Sequence, residues 1–387
     1  MTRARHFVLA AGGTGGHMVP AAALATELGK RGHHVSLVSD ERGVRFPGLF
    51  DGVETHILQA GRLGGGPLGW LRAGRAMQAG RAQAIALFKA QRPAAVIGFG
   101  GYPALPALLG AFARGLPTAV HEQNAVLGRV NRLVAGRVDA IATSYPDVER
   151  LADKHRGKTH LVGNPVREAV IALRARPYPL LEEDGIFRAL VTGGSQGASI
   201  LSDVVPDGLS LLPEHFRRRL QVTHQARIED IDQVRAKYAE LTIAADIATY
   251  LPDLPEQLGR AHLVIARAGA STLAELTCAG RPAILVPLPS ATDDHQTANA
   301  REMTMAGGAR TIAQSDFTPV ELAKQLQKLG LDPAGLENAA GRARACGRPD
   351  AARDLADLVE SLDAPTSPLL IGSPQPMKLA GAAGGAA

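Results

Sequence analysis

Three glycine-rich turns, each following a short apolar run, are the segments of this sequence best suited to hold a phosphorylated ligand. They lie at residues 12–17 (Gly-Gly-Thr-Gly-Gly-His), 98–103 (Gly-Phe-Gly-Gly-Tyr-Pro) and 193–198 (Gly-Gly-Ser-Gln-Gly-Ala). Glycine lets the backbone approach a ligand closely, and a following helix offers free N–H groups and the positive end of its dipole. One such turn is weak support, but three at equivalent points of two half-chains favour a phosphorylated ligand bound between two domains.

Polar residues follow another predicted strand, at residues 121–124 (His-Glu-Gln-Asn). Because the carboxyl ends of parallel strands meet at one edge of a sheet, we expect these side chains to lie beside the glycine-rich turns. A capped turn is the competing interpretation of the same residues. Farther along, residues 163–167 (Gly-Asn-Pro-Val-Arg) predict the hinge between two halves, with Arg167 available to an anionic group.

A third cluster, at residues 267–275, combines an arginine, two hydroxyl side chains and a carboxylate. Glu275 could accept both hydroxyls of a ribose, and Ser271 and Thr272 could meet a phosphate at the start of a helix. The spacing of Thr272 and Glu275 also fits a capping box, and the two interpretations do not exclude each other.

The segment 293–299 contains Asp-Asp-His-Gln and then Asn299. A metal site is the weaker interpretation, because adjacent side chains in a turn rarely converge on one ion and no second cluster completes a ligand set. We interpret Gln296 and Asn299 as neutral groups that hydrogen-bond sugar hydroxyls. We expect neither a metal nor a cofactor.

These residues would be positioned by an alternation of strands and helices that occurs twice along the chain. Apolar runs at 6–10, 35–39 and 187–191 predict strands, and the period of residues 19–30 predicts a helix. The pattern predicts the α/β class, with two Rossmann-like doubly wound domains facing across a cleft. We expect domains at 1–163 and 164–349, a helix at 350–362 that can pack back on the first domain, and a disordered tail at 364–387.

Composition and charge limit the class of partner. Aromatic residues make up only 4% of the 387 residues, which argues against a nucleic-acid surface built on stacked rings. Residues 55–121 contain no Asp or Glu, which predicts an anionic partner for this stretch. Phosphate, nucleic acid or an acidic membrane surface would each match this charge. Apolar side chains alternate there with arginines, a pattern typical either of a segment that lies on a membrane or of a solvated helix face: Leu63, Leu68, Trp70, Leu71 and Met77 with Arg62, Arg72, Arg75 and Arg81. The uncharged stretch 93–113 contains three prolines and is not expected to span a bilayer.

A dinucleotide-binding enzyme is an alternative interpretation of the first turn. Asp40 follows the second predicted strand, where a ribose-binding acid would lie. The turn departs from Gly-x-Gly-x-x-Gly at Met18, however, and the second half has a glycine-rich turn of its own. A nicotinamide-dependent enzyme is therefore the weaker interpretation.

Seven motifs together carry a family resemblance: the three turns, His-Glu-Gln-Asn, Gly-Asn-Pro-Val-Arg, Gly-Ala-Ser-Thr-Leu-Ala-Glu and Asp-Asp-His-Gln-x-x-Asn-Ala. In their order along the chain they make nearly all of residues 6–362 resemble the MurG family, the bacterial N-acetylglucosaminyltransferases of cell-wall precursor synthesis. The resemblance implies a GT-B fold and inverting transfer of GlcNAc from UDP-GlcNAc to the 4-hydroxyl of undecaprenyl-diphospho-MurNAc-pentapeptide. It also implies a peripheral enzyme on the cytoplasmic face of the bacterial inner membrane. Ala268, where the family often has Ser, and the tail depart from the pattern.

The same resemblance assigns roles by position, all of them on the two sides of the cleft. Thr14, Gly15, Gly16 and Asn124 would meet the donor sugar or the acceptor beside it, and Tyr102 would join them from its own turn. Arg167, Ser195 and Gln196 would hold the nucleotide and its phosphates, and the backbone of Leu251 would read uracil. Arg267 and the turn at Ala270, Ser271 and Thr272 would surround the diphosphate, Glu275 would take the ribose, and Gln296 with Asn299 would take the sugar hydroxyls.

The acceptor hydroxyl must lose a proton, which requires a general base. His17 is the first candidate because an imidazole titrates near neutral pH, and Glu122 is the second. Two rival functions remain at this point: a UDP-GlcNAc 2-epimerase, which needs no lipid acceptor, and a non-catalytic sugar-nucleotide-binding module.

Overall fold

The computed structural model describes residues 3–13, 15–41, 43, 48–61, 66–182, 184–194, 197–330 and 333–362, and within these ranges the strands form two parallel sheets. The first sheet contains seven strands: β1 (His6–Ala10), β2 (His34–Ser39), β3 (Glu54–Ile57), β4 (Ala95–Gly98), β5 (Thr118–Glu122), β6 (Ala140–Thr143) and β7 (Thr159–Leu161). The second contains six: β8 (Phe187–Thr192), β9 (Leu220–Gln225), β10 (Ala244–Ala248), β11 (Leu263–Ala266), β12 (Ala283–Leu285) and β13 (Ala309–Thr311).

Both sheets have the strand order of a doubly wound fold. The orders are β3-β2-β1-β4-β5-β6-β7 and β10-β9-β8-β11-β12-β13. The order reverses between β1 and β4 in one sheet and between β8 and β11 in the other. Ligands of open α/β sheets bind beyond the carboxyl ends of the strands at such a reversal. The predicted class, two Rossmann-like domains of the α/β type, is confirmed.

Helices cover both faces of each sheet. The first sheet is followed or flanked by α1 (Gly15–Lys30), α2 (Gly66–Gln91), α3 (Ala104–Arg114) and α4 (Arg129–Val134). The second is accompanied by α5 (Glu168–Ala172), α6 (Ser199–Ser210), α7 (Glu214–Arg217), α8 (Ile231–Glu240), α9 (Leu254–Arg260), α10 (Ala270–Ala279), α11 (His295–Met305), α12 (Pro319–Gly330) and α13 (Pro333–Cys346). The last helix is α14 (Ala351–Ser361).

The alternation of side chains along β1 shows why its sheet needs a helical layer on each face. Phe7 and Leu9 belong to the apolar core that contains α1 and α14, whereas Val8 and Ala10 belong to the core formed with α2 and α3. Successive strand side chains point to opposite faces, so an unbroken apolar strand must be covered twice. α1 begins at Gly15, inside the first glycine-rich turn, and not at the predicted residue 19.

The C-terminal helix packs on the first sheet, although the chain enters it from the second. Leu355 and Val359 are fully buried in the core formed with α1. Its acidic face pairs with the first domain: Arg31 donates to Asp357 and Glu360 at 2.6 Å each. The predicted tail at 364–387 lies outside the described residues.

Candidate active site

The carboxyl ends of the two sheets meet across a cleft, and one side chain bridges it directly. Asn299 of α11 accepts a hydrogen bond from the backbone N–H of Ala125 at 2.7 Å and donates to the side-chain oxygen of Asn124 at 3.1 Å. It also donates to the carbonyl of Ala268 at 3.2 Å. Asn299 is only 1% exposed and its amide is fully used. The prediction that Asn299 binds sugar hydroxyls therefore does not fit its position, since it joins the two domains instead.

His17 lies in the first turn of α1, against the backbone of the second glycine-rich turn. A Cβ added to Gly101 would lie 3.3 Å from ring atoms of His17, so a side chain there would crowd the imidazole. The Nδ1 atom lies 3.2 Å from the carbonyl oxygen of Gly12, which can only accept. The proton is therefore on Nδ1, and the lone pair of the neutral ring is on Nε2. Burial lowers the pKa of His17, so the ring is neutral at pH 7.

The turn that carries His17 is held by Asp40. Its Oδ1 accepts hydrogen bonds from the N–H groups of Gly13 at 3.3 Å and Gly43 at 3.0 Å. Gly13 has a φ of 86°, which favours glycine. The acid that a dinucleotide-binding interpretation would give to a ribose thus holds the turn. Gly15 and Gly16 begin α1, and Thr14 lies outside the described residues.

Glu122, the second candidate base, is 2% exposed and surrounded by amide donors. Oε1 accepts from the backbone and side-chain nitrogens of Asn124, and Oε2 accepts from Gly128 N at 2.7 Å and Asn131 Nδ2 at 2.8 Å. A carboxylate offers about four lone-pair sites, so this one has no place for a substrate proton. The geometry favours His17 over Glu122 as the base, and gives Glu122 the role of fixing the loop that carries Asn124.

Two residues near the catalytic candidates were missed in the sequence. Asn131 donates to Glu122 from a position in α4 that carries no motif signal. His295 contributes to lowering the pKa of His17, which places the two imidazoles close together across the cleft. Its Nδ1 donates to the carbonyl of Thr292 at 2.8 Å. The signal for His295 is the Asp-Asp-His triplet, which the sequence pattern alone relates only to a metal site.

On the second sheet, Glu275 and Arg167 are brought together. Oε1 of Glu275 accepts from Arg167 Nε at 3.1 Å and Nη2 at 2.8 Å. Among the described residues, none donates a hydrogen bond to Oε2. Burial raises the pKa of Glu275 and the Arg167 guanidinium opposes that rise. The pair leaves one carboxylate oxygen available to a ligand.

The N-terminus of α10 carries no side-chain cap in the part of the chain that the structure describes. The N-cap position is Gly269, Ala270 opens the helix, and Thr272 lies inside it, so the capping-box interpretation of Thr272 and Glu275 is wrong. The Ser271 hydroxyl is buried without a hydrogen-bond partner. Uncapped N–H groups beside such a hydroxyl suit a phosphate.

Arg267 does not reach toward the diphosphate position as expected. It is 9% exposed, and Nη1 donates to the carbonyls of Val286 and Pro287 at 3.1 Å each. Nη2 donates to Gln314 at 2.6 Å. Arg267 therefore fixes the loop after β12. Burial lowers the pKa of Arg267.

Gln296 holds two loops of the second domain with one atom. Its Oε1 accepts from the N–H groups of Ala268 at 3.2 Å and Leu288 at 2.9 Å. The contact between Gln296 and sugar hydroxyls stays a prediction, which would use the amide nitrogen as donor.

The remaining predicted residues lie around the same cleft or outside the described part. Tyr102 is half-buried in the turn against which His17 packs. The carbonyl of Leu251 accepts from Leu254 N at 3.3 Å, and the N–H of Leu251 donates to no described residue. In the third glycine-rich turn, Gly194 and Gly197 have φ of 75° and 65°. Ser195 and Gln196 lie between them, outside the described residues.

Comparison with known proteins gives consistent relatives over almost the whole chain. The glycosyltransferase family 28 N-terminal domain matches residues 7–143, and the C-terminal domain of the same family matches residues 188–355. A relative from Zymomonas mobilis is 63% identical over 360 residues, covering 93% of each chain. Its name is UDP-N-acetylglucosamine--N-acetylmuramyl-(pentapeptide) pyrophosphoryl-undecaprenol N-acetylglucosamine transferase.

Solved structures show the same fold at lower identity. MurG of Acinetobacter baumannii superposes with a TM-score of 0.75 at 28% identity, covering 92% of this chain and 99% of that one. A UDP-GlcNAc 2-epimerase from Neisseria meningitidis superposes with a TM-score of 0.61 at 14% identity, covering 92% and 100%. At that identity the epimerase shares the fold alone.

Proposed function

The chain belongs to the family of UDP-N-acetylglucosamine--N-acetylmuramyl-(pentapeptide) pyrophosphoryl-undecaprenol N-acetylglucosamine transferases, and from that premise we propose how its cleft divides the reaction between two sheets. It is an N-acetylglucosaminyltransferase that moves GlcNAc from UDP-GlcNAc to the lipid-linked MurNAc-pentapeptide in peptidoglycan synthesis. Residues 1–163 carry the acceptor side in this proposal, with α14 packed on them. Residues 164–349 carry the donor side.

The donor site rests on one observation above the others, the half-used carboxylate of Glu275. Oε1 is held by Arg167, and Oε2 is positioned to accept the two ribose hydroxyls. The N-terminus of α10, with the unpartnered Ser271 hydroxyl, binds the diphosphate. The N–H of Leu251 binds uracil, and the amide nitrogen of Gln296 binds the GlcNAc hydroxyls.

Catalysis then needs one proton transfer and one stabilised leaving group. Nε2 of His17 removes the proton of the acceptor hydroxyl as its oxygen attacks the anomeric carbon, and the bond to UDP breaks with inversion. The lowered pKa of His17 keeps that nitrogen unprotonated at pH 7. The departing diphosphate gains negative charge next to the helix N-termini of α10 and α6, whose dipoles stabilise it.

The test is transfer of labelled GlcNAc from UDP-GlcNAc to a short-chain analogue of undecaprenyl-diphospho-MurNAc-pentapeptide, with EDTA present. We expect one GlcNAc per acceptor, with the anomeric configuration inverted, at the same rate with or without EDTA. A strict Mg²⁺ requirement would contradict the assignment of the leaving-group charge to helix dipoles. Epimerised UDP-GlcNAc in the absence of acceptor would identify an epimerase, and binding without turnover would identify a binding module.

A lipid acceptor requires that the enzyme work at a membrane surface, and we propose the face of α2 that makes this contact. None of the helices in the described ranges has the length and hydropathy needed to cross a bilayer. Trp70 and Leu71 of α2 are 61% and 53% exposed, next to the exposed Arg72 and Arg75. Exposed apolar side chains beside basic ones suit an anionic leaflet, here the cytoplasmic face of the inner membrane.

A second helix, α4, carries exposed side chains of the same two kinds. Met77 of α2 packs against the apolar cluster that also contains Val130 and Val134 of α4. Leu133 of α4 is 68% exposed, and Arg129 beside it is also exposed. Arg62 and Leu63 lie outside the described residues, and nothing is described of the Leu68 side chain.

Vesicles that contain anionic phospholipid test this surface. An arginine near such a surface contributes about 1 kcal/mol, so we expect Arg72→Gln with Arg75→Gln to weaken binding about 30-fold. The matched control removes two exposed arginines of the second domain, Arg218 and Arg235. Equal binding of both double variants would contradict the proposed face.

A further inference from the structure

Asp293 of the second domain is held by two arginines of the first. Its Oδ2 accepts a hydrogen bond from Arg132 Nη2 at 2.8 Å, and its Oδ1 is paired with Arg150 Nη1 at 2.9 Å. The Asp293 side chain is 16% exposed, against 28% for Arg132 and 49% for Arg150. We call this three-residue contact the latch. Each carboxylate oxygen has its own cation, and both cations come from across the cleft.

The backbone on both sides of the latch is strained. Asp293, Asp294 and Arg150 have φ of 57°, 53° and 62°, and only two other non-glycine residues of the described ranges have positive φ. Such conformations are unfavourable for residues other than glycine and persist only where the surroundings hold them. Their concentration at one contact between domains points to a role in function.

The latch lies between the two halves of the proposed active site. Asp293 lies two residues before α11, whose first residues are His295 and Gln296. Arg132 follows Asn131, which donates to the loop-fixing carboxylate of Glu122. A change in the distance between Asp293 and Arg132 therefore moves the loop of Gln296 relative to the loop of Glu122.

We propose that Asp293 is a positioning residue: the latch sets the closed spacing of the two domains and so aligns the donor sugar with His17. This inference rests on the proposed function. Asp293 touches no reacting atom. It acts through α11, which carries Gln296 toward the donor sugar, and through α4, which supports the acceptor side.

A second ion pair between the domains provides a matched control. Arg301 of α11 pairs with Glu149 at 2.9 Å, with side chains 58% and 48% exposed. Arg301 lies in the helix that follows Asp293, and its ion pair crosses the same cleft. It is a single, solvated pair, and neither of its residues has a positive φ. Exposed pairs of this kind contribute little.

The experiment compares Asp293→Asn with Arg301→Gln in the full chain, using the short-chain acceptor. Small displacements of reacting groups cost up to about 100-fold, so we expect kcat of Asp293→Asn to fall about 10- to 100-fold. The dissociation constant of UDP should change little, because the proposed nucleotide contacts lie within the second domain. Arg301→Gln should keep kcat within about twofold.

Two further measurements separate positioning from a general structural effect. Arg132→Gln added to Asp293→Asn should cause no further loss of kcat, because both remove one contact. Small-angle X-ray scattering should show a larger radius of gyration for Asp293→Asn than for Arg301→Gln. If Asp293→Asn does not fold, Arg150→Gln, at the more exposed cation, gives the same comparison with a smaller expected loss.

The outcomes distinguish this inference from the proposed function. If the parent protein transfers no GlcNAc, the proposed function fails, while scattering still reports whether Asp293 sets the domain spacing. If transfer occurs but Asp293→Asn matches Arg301→Gln in kcat and in radius of gyration, the latch does not position the site and the inference is overturned.

Discussion

Glu122 and Glu275 are two buried carboxylates on opposite sides of one cleft, and their surroundings differ. Glu122 is 2% exposed and accepts hydrogen bonds from amide nitrogens at both oxygens. Glu275 is 7% exposed, and one of its oxygens, Oε1, accepts hydrogen bonds from Arg167. Both are buried enough to need partners, since an unpaired buried charge is costly. Glu122 has its partners within its own domain, whereas Glu275 has an oxygen for which a ligand is the natural partner.

The same difference separates the two loops that flank these acids. On the first sheet, Asp40 holds the turn that carries His17, and Gly12 fixes the tautomer of the ring. On the second sheet, the N-terminus of α10 is uncapped and the Ser271 hydroxyl is buried without a partner. In the proposed function, the first sheet is the acceptor side and is arranged before any ligand binds, whereas the second sheet keeps unpartnered polar groups for the nucleotide. A preorganised base costs no rearrangement during the reaction.

The largest expected effect comes from His17→Asn, which removes the side chain that the first sheet arranges. Loss of a general base typically lowers the rate by about 10²–10⁴-fold. We expect a loss of kcat in this range with unchanged affinity for UDP, because His17 lies outside the donor contacts. Single-turnover kinetics with labelled UDP-GlcNAc measures the loss.

The pH dependence of kcat/KM identifies the group that acts as the general base. Burial lowers the pKa of His17 below its ordinary 6.5, so the acidic limb of kcat/KM should have its midpoint below pH 6.5. That acidic limb should disappear in His17→Asn. His295→Asn is the matched variant, because it removes the imidazole across the cleft. Should the limb survive in His17→Asn and vanish in His295→Asn, the base is His295.

The next largest effect is expected at the donor carboxylate, with Glu275→Gln. Hydrogen bonds to a charged group contribute about 1.5–3 kcal/mol, so KM for UDP-GlcNAc should rise by about 10- to 100-fold while kcat changes less. The parent protein should bind UDP more tightly than its 2′-deoxy analogue, and Glu275→Gln should lose most of that preference. An undiminished preference would mean that the ribose hydroxyls bind elsewhere.

Sequence patterns predict the interior of this fold better than its edges. The buried strands β4 and β11 are unbroken apolar runs, and β1 and β8 are mostly apolar. The strands β3, β7, β10 and β13 lie at sheet edges, with partly exposed or polar residues, and carry no such run. Edge strands form because a neighbouring strand offers unpaired backbone groups, which no local pattern records.

For the site, motifs located the residues but not their partners. The cluster at 267–275 could be placed at a strand end from the sequence, yet Arg267 turns toward β12 and Glu275 toward Arg167. Asn299 looked like a sugar-binding amide and bridges the two domains instead. These assignments depend on contacts between residues far apart in the chain, which spacing along one segment cannot reveal.

The smallest effect on activity is expected from Glu122→Gln, which tests the other side of the comparison. The glutamine keeps the shape of the side chain but places an NH₂ group where two oxygens accept from four N–H donors. One or two of these donors then lack an acceptor, which costs about 1–3 kcal/mol of folding stability each. We expect a lower midpoint of thermal unfolding and only a few-fold loss of kcat, measured at a temperature where the variant is folded. A loss as large as that of His17→Asn, together with loss of the acidic limb, would make Glu122 the base and would remove the contrast between a fully satisfied carboxylate and one that awaits its ligand.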